Sequence, residues 1–136
     1  MPSFSSRSQE RLDTCHPDLV ALFTEVIKHY DCTVLEGSRS QERQRELVRT
    51  GKSKTMNSKH LTSPSLACDV VPYPIDWSRL GQERMRHFAG FVFGVASQLG
   101  LAIRWGGDWS GDAMLTRDGL RDQSFMDLPH YELKNV

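Results

Sequence analysis

The feature that most restricts the fold is a short apolar run that carries a single acidic residue. Residues 66–71 are apolar except for Asp69. Because alternate residues of a β-strand face opposite sides, Asp69 would share its face with Ala67 and Val71. Cys68 would then face the other way and is excluded from any site around Asp69. A carboxylate inside an apolar strand is costly unless it is paired or bound to a metal, so the run predicts a buried strand with a partner for Asp69.

Two histidines could supply the missing partners. His60 precedes the strand, and His130 lies near the C-terminal end, three residues after Asp127. Catalytic zinc is typically held by three protein ligands and keeps a fourth position open. We therefore interpret His60, Asp69 and His130 as the ligands of one zinc ion, with Asp127 as the base beside it. A single His or Asp is more often a surface charge or a helix cap, so the prediction depends on the whole set.

The segment around His130 shows the same alternation. In a strand over residues 130–133, His130 and Glu132 face the same side. Pro129 suits the start of a strand, so we expect Asp127 in the approach to it, where its side chain can turn back towards the metal. Glu132 is a rival base, and its alternative role is to orient an imidazole that binds the metal.

Helical and strand patterns alternate along the rest of the chain. Apolar residues at helical spacing predict helices over residues 8–14, 16–30, 41–50 and 80–99, and short apolar runs predict strands over 32–36, 66–71, 101–105 and 130–133. We expect an α+β fold with a small, mainly antiparallel sheet and packed helices. The polar residues 51–59 form either a solvated loop or a rim for an anionic, sugar-decorated polymer. Residues 114–125 lack periodicity and are predicted to be a mobile loop near the site.

Length and charge limit the classes of partner. The chain of 136 residues is expected to form one domain, residues 1–136, with a loose arm over residues 1–7. Seventeen basic residues balance seventeen acidic ones, which argues against a nucleic-acid partner. No apolar run approaches the ~20 residues of a membrane span, so we expect no stable membrane association. The three cysteines lack metal-type spacing and are interpreted as reduced thiols. We expect a monomer.

These residues resemble the zinc peptidases that include the D-alanyl-D-alanine carboxypeptidases and dipeptidases of the VanY and VanX type. The resemblance is greatest to the phage endolysins of that group, the L-alanyl-D-glutamate peptidases, and it extends from about Cys15 to Leu133. The family pattern is S-x-H-x-x-G-x-A-x-D, followed much later by an acid, two residues and a His. The matching segments are Ser58-Lys59-His60, Ala67-Cys68-Asp69, Asp127-Leu128-Pro129-His130, an upstream G-x-R-[ST] element at Gly37-Ser38-Arg39-Ser40, and smaller similarities at Ile75-Asp76-Trp77 and residues 104–109.

The chain departs from the family between the first His and the Asp. The usual gap is two residues shorter and contains a Gly, whereas here residues 61–65 fill the space. We expect the extra residues to bulge into the loop before the strand. This would change the rim of the site more than the identity of its ligands.

The resemblance implies a fold like that of hedgehog and D-Ala-D-Ala peptidases. It also implies a zinc metallopeptidase that hydrolyses the L-Ala–D-Glu bond of the peptidoglycan stem peptide and lyses the host cell. The residues before Ser8 contain no apolar segment of a signal peptide. We therefore expect storage in the host cytoplasm and action on the wall after release through a membrane lesion. The alternatives are a D-Ala-D-Ala carboxypeptidase of wall maintenance and a zinc-retaining, non-catalytic wall-binding module.

The resemblance also suggests roles for further residues. Arg39 would stabilise an oxyanion or hold a substrate carboxylate, and its alternative is a surface salt bridge. Ser58 and Gln44 match the family pattern and could support the site or contact substrate. Trp105 and Trp109 could line the cleft, although one of them could equally pack in the core.

Overall fold

The computed structural model describes residues 1–111 and 126–134, so the loop predicted over residues 114–125 lies outside the described part. Within that part, helices and strands alternate much as the sequence predicts, and a single turn of 3-10 helix, Lys59–Leu61, precedes the second strand. The elements are α1 (Ser6–Leu12), α2 (Pro17–Ile27), β1 (Cys32–Glu36), α3 (Gln41–Arg49), β2 (Ala67–Pro72), α4 (Arg79–Gln98), β3 (Ile103–Gly106) and β4 (Asp127–Leu133).

The strands form one antiparallel sheet in the order β1-β2-β4-β3, counted over the described residues. The two inner strands, β2 and β4, are the two that were predicted to carry metal ligands. Their register places Asp69 directly opposite His130. The α+β fold with a small antiparallel sheet is therefore confirmed.

Helix starts follow the local side-chain chemistry. Ser40 and Ser78 accept hydrogen bonds from backbone N–H groups in the first turns of α3 and α4. The His16 ring caps α2 by accepting from the Asp18 N–H, and Pro17 occupies the first helical position. These caps explain why the predicted starts of α2, α3 and α4 lie within one residue of the observed ones.

The N-terminal arm is shorter than predicted. The sequence indicated a loose segment over residues 1–7, but α1 begins at Ser6 and Ser5 caps it. Phe4 packs against the core, and the buried Ser8 hydroxyl accepts a hydrogen bond from the Val34 N–H of β1. The first turn of α1 therefore takes the place of the end of the predicted arm.

The hydrophobic core lies against one face of the inner strands, the face that carries Tyr131. Phe23 of α2 and Phe88 of α4 meet the Tyr131 ring edge-on, at centroid distances of 5.5 Å and 6.3 Å. Because side chains alternate along β4, His130 and Glu132 point to the opposite face from Tyr131. The core thus fixes the sheet from one side and leaves the other side for the polar residues.

No helix of the described ranges is both long and apolar enough to cross a membrane.

Candidate metal centre

The three predicted ligands converge on one point. His60 Nε2 lies 3.1 Å from Asp69 Oδ1, and His130 Nδ1 lies 3.3 Å from the same oxygen. The three donor atoms all lie within 4.8 Å of one another, in the one such group of His, Cys, Asp and Glu found among residues 1–111 and 126–134. Both histidines are buried. The structure therefore places one carboxylate and two imidazoles where a single cation could contact all three.

His60 is held by a side-chain hydroxyl at its backbone N–H and by a backbone carbonyl at its ring. His60 lies in the 3-10 turn that Ser58 caps, and the Ser58 hydroxyl accepts from the His60 N–H at 3.2 Å. On the ring, Nδ1 contacts the Gly37 carbonyl oxygen at 2.6 Å. A carbonyl can only accept, so Nδ1 carries the proton and Nε2 presents its lone pair to the metal position. The Ser58 side chain thus contacts the backbone of a candidate ligand.

Gly37 has to be glycine for this contact to exist. A Cβ at this position would lie 2.4 Å from the Arg11 carbonyl oxygen and 2.4 Å from the Thr14 hydroxyl, at the C-terminal end of α1. The close approach of the two chain segments brings the Gly37 carbonyl within hydrogen-bonding distance of His60 Nδ1. The sequence indicated Gly37 only as part of a motif, and its role in fixing a tautomer depends on a tertiary contact with α1.

Glu132 lies beside His130 on β4 and contacts its ring, and the sequence predicted that the two side chains share a strand face. His130 Nε2 donates to Glu132 Oε1 at 2.8 Å, and Glu132 Oε2 lies 3.4 Å from Lys59 Nζ and 3.7 Å from Arg104 Nη1. Burial alone would raise the pKa of Glu132, but His130 and Lys59 outweigh it and hold the pKa below its ordinary value. Glu132 is therefore an ionised acceptor that leaves His130 Nδ1 facing the metal position.

Asp127 lies at the edge of the same group. It is the first residue of β4, not a residue of the approach to it, and its Oδ2 is 3.9 Å from His130 Nδ1. Its backbone approaches Gly106 of β3 so closely that a Cβ there would lie 2.0 Å from the Asp127 carbonyl oxygen. Burial and the nearby Asp69 carboxylate raise the pKa of Asp127 to about 6. A carboxyl group with this pKa can both accept and return a proton near neutral pH.

Asp69 stays ionised despite its position inside the strand. Burial would raise the pKa of this carboxyl, but the His60 and His130 imidazoles beside it hold the pKa below its ordinary value. Arg39 Nη2 lies 3.4 Å from Asp69 Oδ2, the oxygen that does not face the imidazoles. The sequence predicted that Asp69 needs a partner. Both of its carboxylate oxygens have one: Oδ1 faces the two imidazoles and Oδ2 faces Arg39.

Arg39 is held in a network that the sequence revealed only in part. Its Nε and Nη2 donate to the two oxygens of Glu36 at 2.8 Å and 3.1 Å, and its Nη1 donates to Gln44 Oε1 at 2.7 Å. Its side chain is 8% exposed and lines the cleft, so the pair with Glu36 is a partly buried one. Gln44 is itself buried, and its amide donates to Ser53 Oγ at 2.9 Å.

Sequence reasoning missed Glu36. The register shifts between Val34 and Glu36, and this shift sets Glu36 opposite Asp69, in the cleft lining. Alternation counted from Cys32 and Val34 therefore assigns Glu36 to the wrong face, and no pattern in the sequence reveals the shift. Its partner, Arg39, lies only three residues further on.

The two tryptophans have different positions. Trp105 is 4% exposed, belongs to the hydrophobic core and donates its indole N–H to the Leu128 carbonyl oxygen at 2.7 Å. This location does not match the role beside the substrate that we considered for it. Trp109 lines the cleft, with its ring centroid 5.2 Å from that of His130. The sequence left open whether each tryptophan packs in the core or lines the cleft. Trp105 packs in the core and Trp109 lines the cleft.

The cluster of His60, Asp69 and His130 opens into a cleft of about 1150 Å³. Its walls come from α3, the polar segment of residues 52–59, the start of α4 and both inner strands. Arg43, Lys52, Lys54, Lys59 and Arg104 all line it. Residues of the polar segment therefore form one wall of the cleft. A cleft with basic walls suits a substrate that carries carboxylates.

The longer gap between His60 and Asp69 is accommodated away from the ligands. Ser65 is buried against the turn between α1 and α2, where its backbone exchanges hydrogen bonds with Thr14 O and His16 N–H at 3.0 Å and 2.8 Å. The Thr62 hydroxyl accepts from the Leu66 N–H at 2.9 Å and closes the loop. The extra residues thus form a loop before β2, as expected.

The donor set fits zinc. Two imidazoles and one carboxylate are a ligand combination of catalytic zinc sites, and each imidazole has its second nitrogen bound to an oxygen acceptor. The Asp127 carboxylate lies beside the three donors, in the cleft, where a proton acceptor can reach a water molecule. Such an arrangement can hydrolyse an amide bond.

Comparison with known proteins gives three similarities. Residues 2–134 match the family model for phage L-alanyl-D-glutamate peptidase. The L-alanyl-D-glutamate peptidase of Listeria phage A118 is 30% identical over 100 residues, which are 73% of this chain and 29% of that protein. The crystal structure of Serratia marcescens L-Ala D-Glu endopeptidase ChiX superposes with a TM-score of 0.71 at 32% identity, covering 98% of this chain and 91% of that one.

Proposed function

Because the chain belongs to the phage L-alanyl-D-glutamate peptidase family, as its motifs predicted, we propose that it is a zinc peptidase that hydrolyses the L-Ala–D-Glu bond of the peptidoglycan stem peptide. The observation that carries the proposal is the convergence of His60, Asp69 and His130, with Asp127 beside them in a basic cleft. The family relationship supports the bond, and the geometry supports hydrolysis.

His60 Nε2, Asp69 Oδ1 and His130 Nδ1 would hold the zinc ion. Zinc bound there would polarise the scissile carbonyl and lower the pKa of a water molecule towards ~7. The Gly37 carbonyl and Glu132 hold the two imidazoles in the required tautomers, so the ligands are ready before the ion arrives.

Asp127 is the proposed general base and acid. Its carboxylate would take a proton from the attacking water and return it to the amine of D-Glu as the peptide bond breaks. Its raised pKa of about 6 suits both halves of this exchange. Glu132 fits this role less well, because its Oε1 accepts from His130 and its Oε2 faces Lys59.

Arg39 is proposed to contact the substrate at the cleft wall. Glu36 and Gln44 fix its guanidinium in one orientation, so it is ordered before substrate binds. A guanidinium at this position would stabilise the developing oxyanion or bind the D-Glu carboxylate. Gln44 and Ser58 act through their contacts with Arg39 and His60.

The decisive experiment is digestion of purified peptidoglycan, followed by mass spectrometry of the new termini. We expect stem peptides with a free D-Glu amino terminus. Release of D-Ala alone would identify a carboxypeptidase, and binding to the wall without any new terminus would identify a non-catalytic module.

The proposed biological role is host lysis by a monomeric phage endolysin that reaches peptidoglycan from the host cytoplasm through a membrane lesion. Its family supports this role. Added protein should clear Gram-negative cells whose outer membrane has been permeabilised. If turbidity stays constant although the isolated wall is digested, the enzyme does not lyse cells and the proposed role in host lysis fails.

A further inference from the structure

An exposed apolar patch lies on the connector between β2 and α4. Tyr73, Ile75, Trp77 and Leu80 have exposed fractions of 59%, 45%, 58% and 64%. Four large apolar side chains thus remain exposed within eight consecutive positions, and clustered exposed apolar residues often mark interaction sites. The Ile75-Asp76-Trp77 motif noted in the sequence lies in this patch, and none of the proposed catalytic steps uses it.

The connector is held in place by hydrogen bonds. The Tyr73 N–H donates to the Asp31 carbonyl at 3.0 Å, and Arg84 Nη2 donates to the Tyr73 carbonyl at 2.8 Å. The Ser78 N–H donates to Asp76 Oδ1 at 2.9 Å, next to the cap of α4. Because the backbone is already fixed, a ligand that meets these side chains does not have to order the segment.

Trp77 connects the patch to the candidate metal centre. It lines the same cleft as Asp69, Asp127 and His130, yet more than half of its side chain is exposed. It does not belong to the hydrophobic core. The residue thus presents an aromatic face at the rim of the cleft, where a part of the substrate that is not cleaved would lie.

The chemistry of the substrate suggests what covers this face. The stem peptide begins with L-Ala, which is joined through a lactyl group to an N-acetylated sugar of the glycan strand. One residue and one short linker, roughly 7 Å of chain, therefore separate the sugar from the L-Ala–D-Glu bond. A pyranose ring has an apolar face of C–H groups with partial positive charge, which suits the negative face of an indole ring. Its hydroxyl and amide groups need polar neighbours, and Gln82 lines the cleft beside Trp77.

We propose that Trp77 stacks on the amino sugar that carries the stem peptide and so makes the enzyme prefer glycan-linked peptides to free ones. This inference depends on the proposed function and defines its substrate more closely. A membrane surface or a second copy of the chain would also cover apolar side chains, but neither would explain why the ring lines the cleft with the metal ligands.

The test compares two soluble substrates, one with and one without the sugar. One is the disaccharide-linked stem peptide released from peptidoglycan by a muramidase, and the other is the same peptide with the sugar removed by an amidase. Trp77→Ala should lower kcat/KM on the disaccharide peptide by about 3- to 10-fold, the range of one aromatic contact, mainly through KM. On the sugar-free peptide it should equal the wild type. Trp77→Phe should retain most of the activity on both substrates.

Leu80→Ala is the matched control. Leu80 belongs to the same patch and is even more exposed, but it does not line the cleft. This variant should match the wild type on both substrates. Equal losses for Leu80→Ala and Trp77→Ala would show that the patch acts by general hydrophobicity and would overturn the proposal.

A binding measurement separates this inference from the proposed function. Amidase-stripped glycan strands, which contain no peptide to cleave, should bind the wild type and Trp77→Phe more tightly than Trp77→Ala in a titration. If the wild type cleaves neither peptide, the proposed function fails, whatever the glycan titration gives. If Trp77→Ala loses activity equally on both peptides, or on neither, the sugar contact is refuted. Loss of binding to lipid vesicles in Trp77→Ala, with unchanged glycan binding, would assign the patch to a membrane instead.

Discussion

Replacement of Glu132 tests whether this residue orients His130, the proposed metal ligand, or instead transfers the proton in catalysis. Glu132 Oε1 accepts from His130 Nε2 at 2.8 Å, so its carboxylate fixes which nitrogen of the ring faces the metal position. Glu132→Ala removes this acceptor, while Glu132→Gln keeps an oxygen in the same place without the charge. Asp127→Asn makes the corresponding change at the proposed base.

The contacts set the size of the effect. A hydrogen bond to a charged group contributes about 1.5–3 kcal/mol. If that contribution is lost from zinc binding, affinity falls roughly 10- to 100-fold, the range known for partners of metal-binding histidines. A neutral bond contributes about 0.5–1.5 kcal/mol, so Glu132→Gln should weaken zinc binding by about tenfold or less. Because Lys59 and Arg104 are partly exposed, the loss of their partner should add little.

The assay measures zinc affinity by competition with a chelator and, separately, turnover at saturating zinc. Glu132→Ala should bind zinc most weakly, with Glu132→Gln between it and the wild type, and both should recover much of their activity when zinc is in excess. Asp127→Asn should bind zinc like the wild type and lose roughly 10²-fold or more in kcat, as expected for a general base. If Glu132→Gln binds zinc normally but is inactive while Asp127→Asn is active, the two roles are reversed.

Three further predictions concern the metal, the turn at Gly37 and alkaline stability. Protein purified without added metal should contain about one zinc per chain by elemental analysis, and full occupancy in both His60→Ala and His130→Ala would refute the ligand assignment. Gly37→Ala should lower the free energy of unfolding in urea by about 1–3 kcal/mol, because its Cβ would meet backbone of α1, whereas Gly90→Ala in open space on α4 should raise it by about 0.5–1 kcal/mol. Burial raises the pKa of Cys32 to about 12 from an ordinary value near 9, so the unfolded chain loses this proton first; stability should fall between those pH values, and less steeply in Cys32→Ala.

The helices that the sequence predicted well are those with both an apolar period and a cap. The strand over Cys32–Glu36 has the predicted bounds, and α2 and α4 begin within a residue of their predicted starts. In both helices the apolar repeat begins next to a residue that satisfies exposed backbone N–H groups, such as Ser78. The N-terminal arm was predicted less well because its order depends on tertiary contacts, such as the Ser8 hydroxyl on β1, that have no local signal.

The candidate site was predicted in its three donor residues and in part of their surroundings, but not in the backbone group beside His60. Strand parity marked Asp69 as an acidic residue that needs a partner and placed Glu132 on the same face as His130. The contact of the Gly37 carbonyl could not be predicted, since any residue has a carbonyl and only the packing against α1 places this one within reach of His60 Nδ1. Trp105 and Trp109 were indistinguishable in sequence for the same reason: whether an indole lies in the core or the cleft depends on the path of β3.

The register of the two inner strands determines which side chains face the core and which face the candidate metal centre. Asp69 and His130 are direct cross-strand neighbours, and the next pair, Cys68 and Tyr131, faces the core with Phe23 and α4. Because side chains alternate, a slip of one residue would bury the acid and the imidazole among aromatic rings and turn Tyr131 towards the cleft. The packing that holds Tyr131 in the core therefore also fixes the two proposed ligands on the opposite face. The strand that carries Asp127, His130 and Glu132 thus positions the proposed base, a proposed metal ligand and the partner of its ring together. Core substitutions that loosen β4 should therefore reduce metal binding before they unfold the protein.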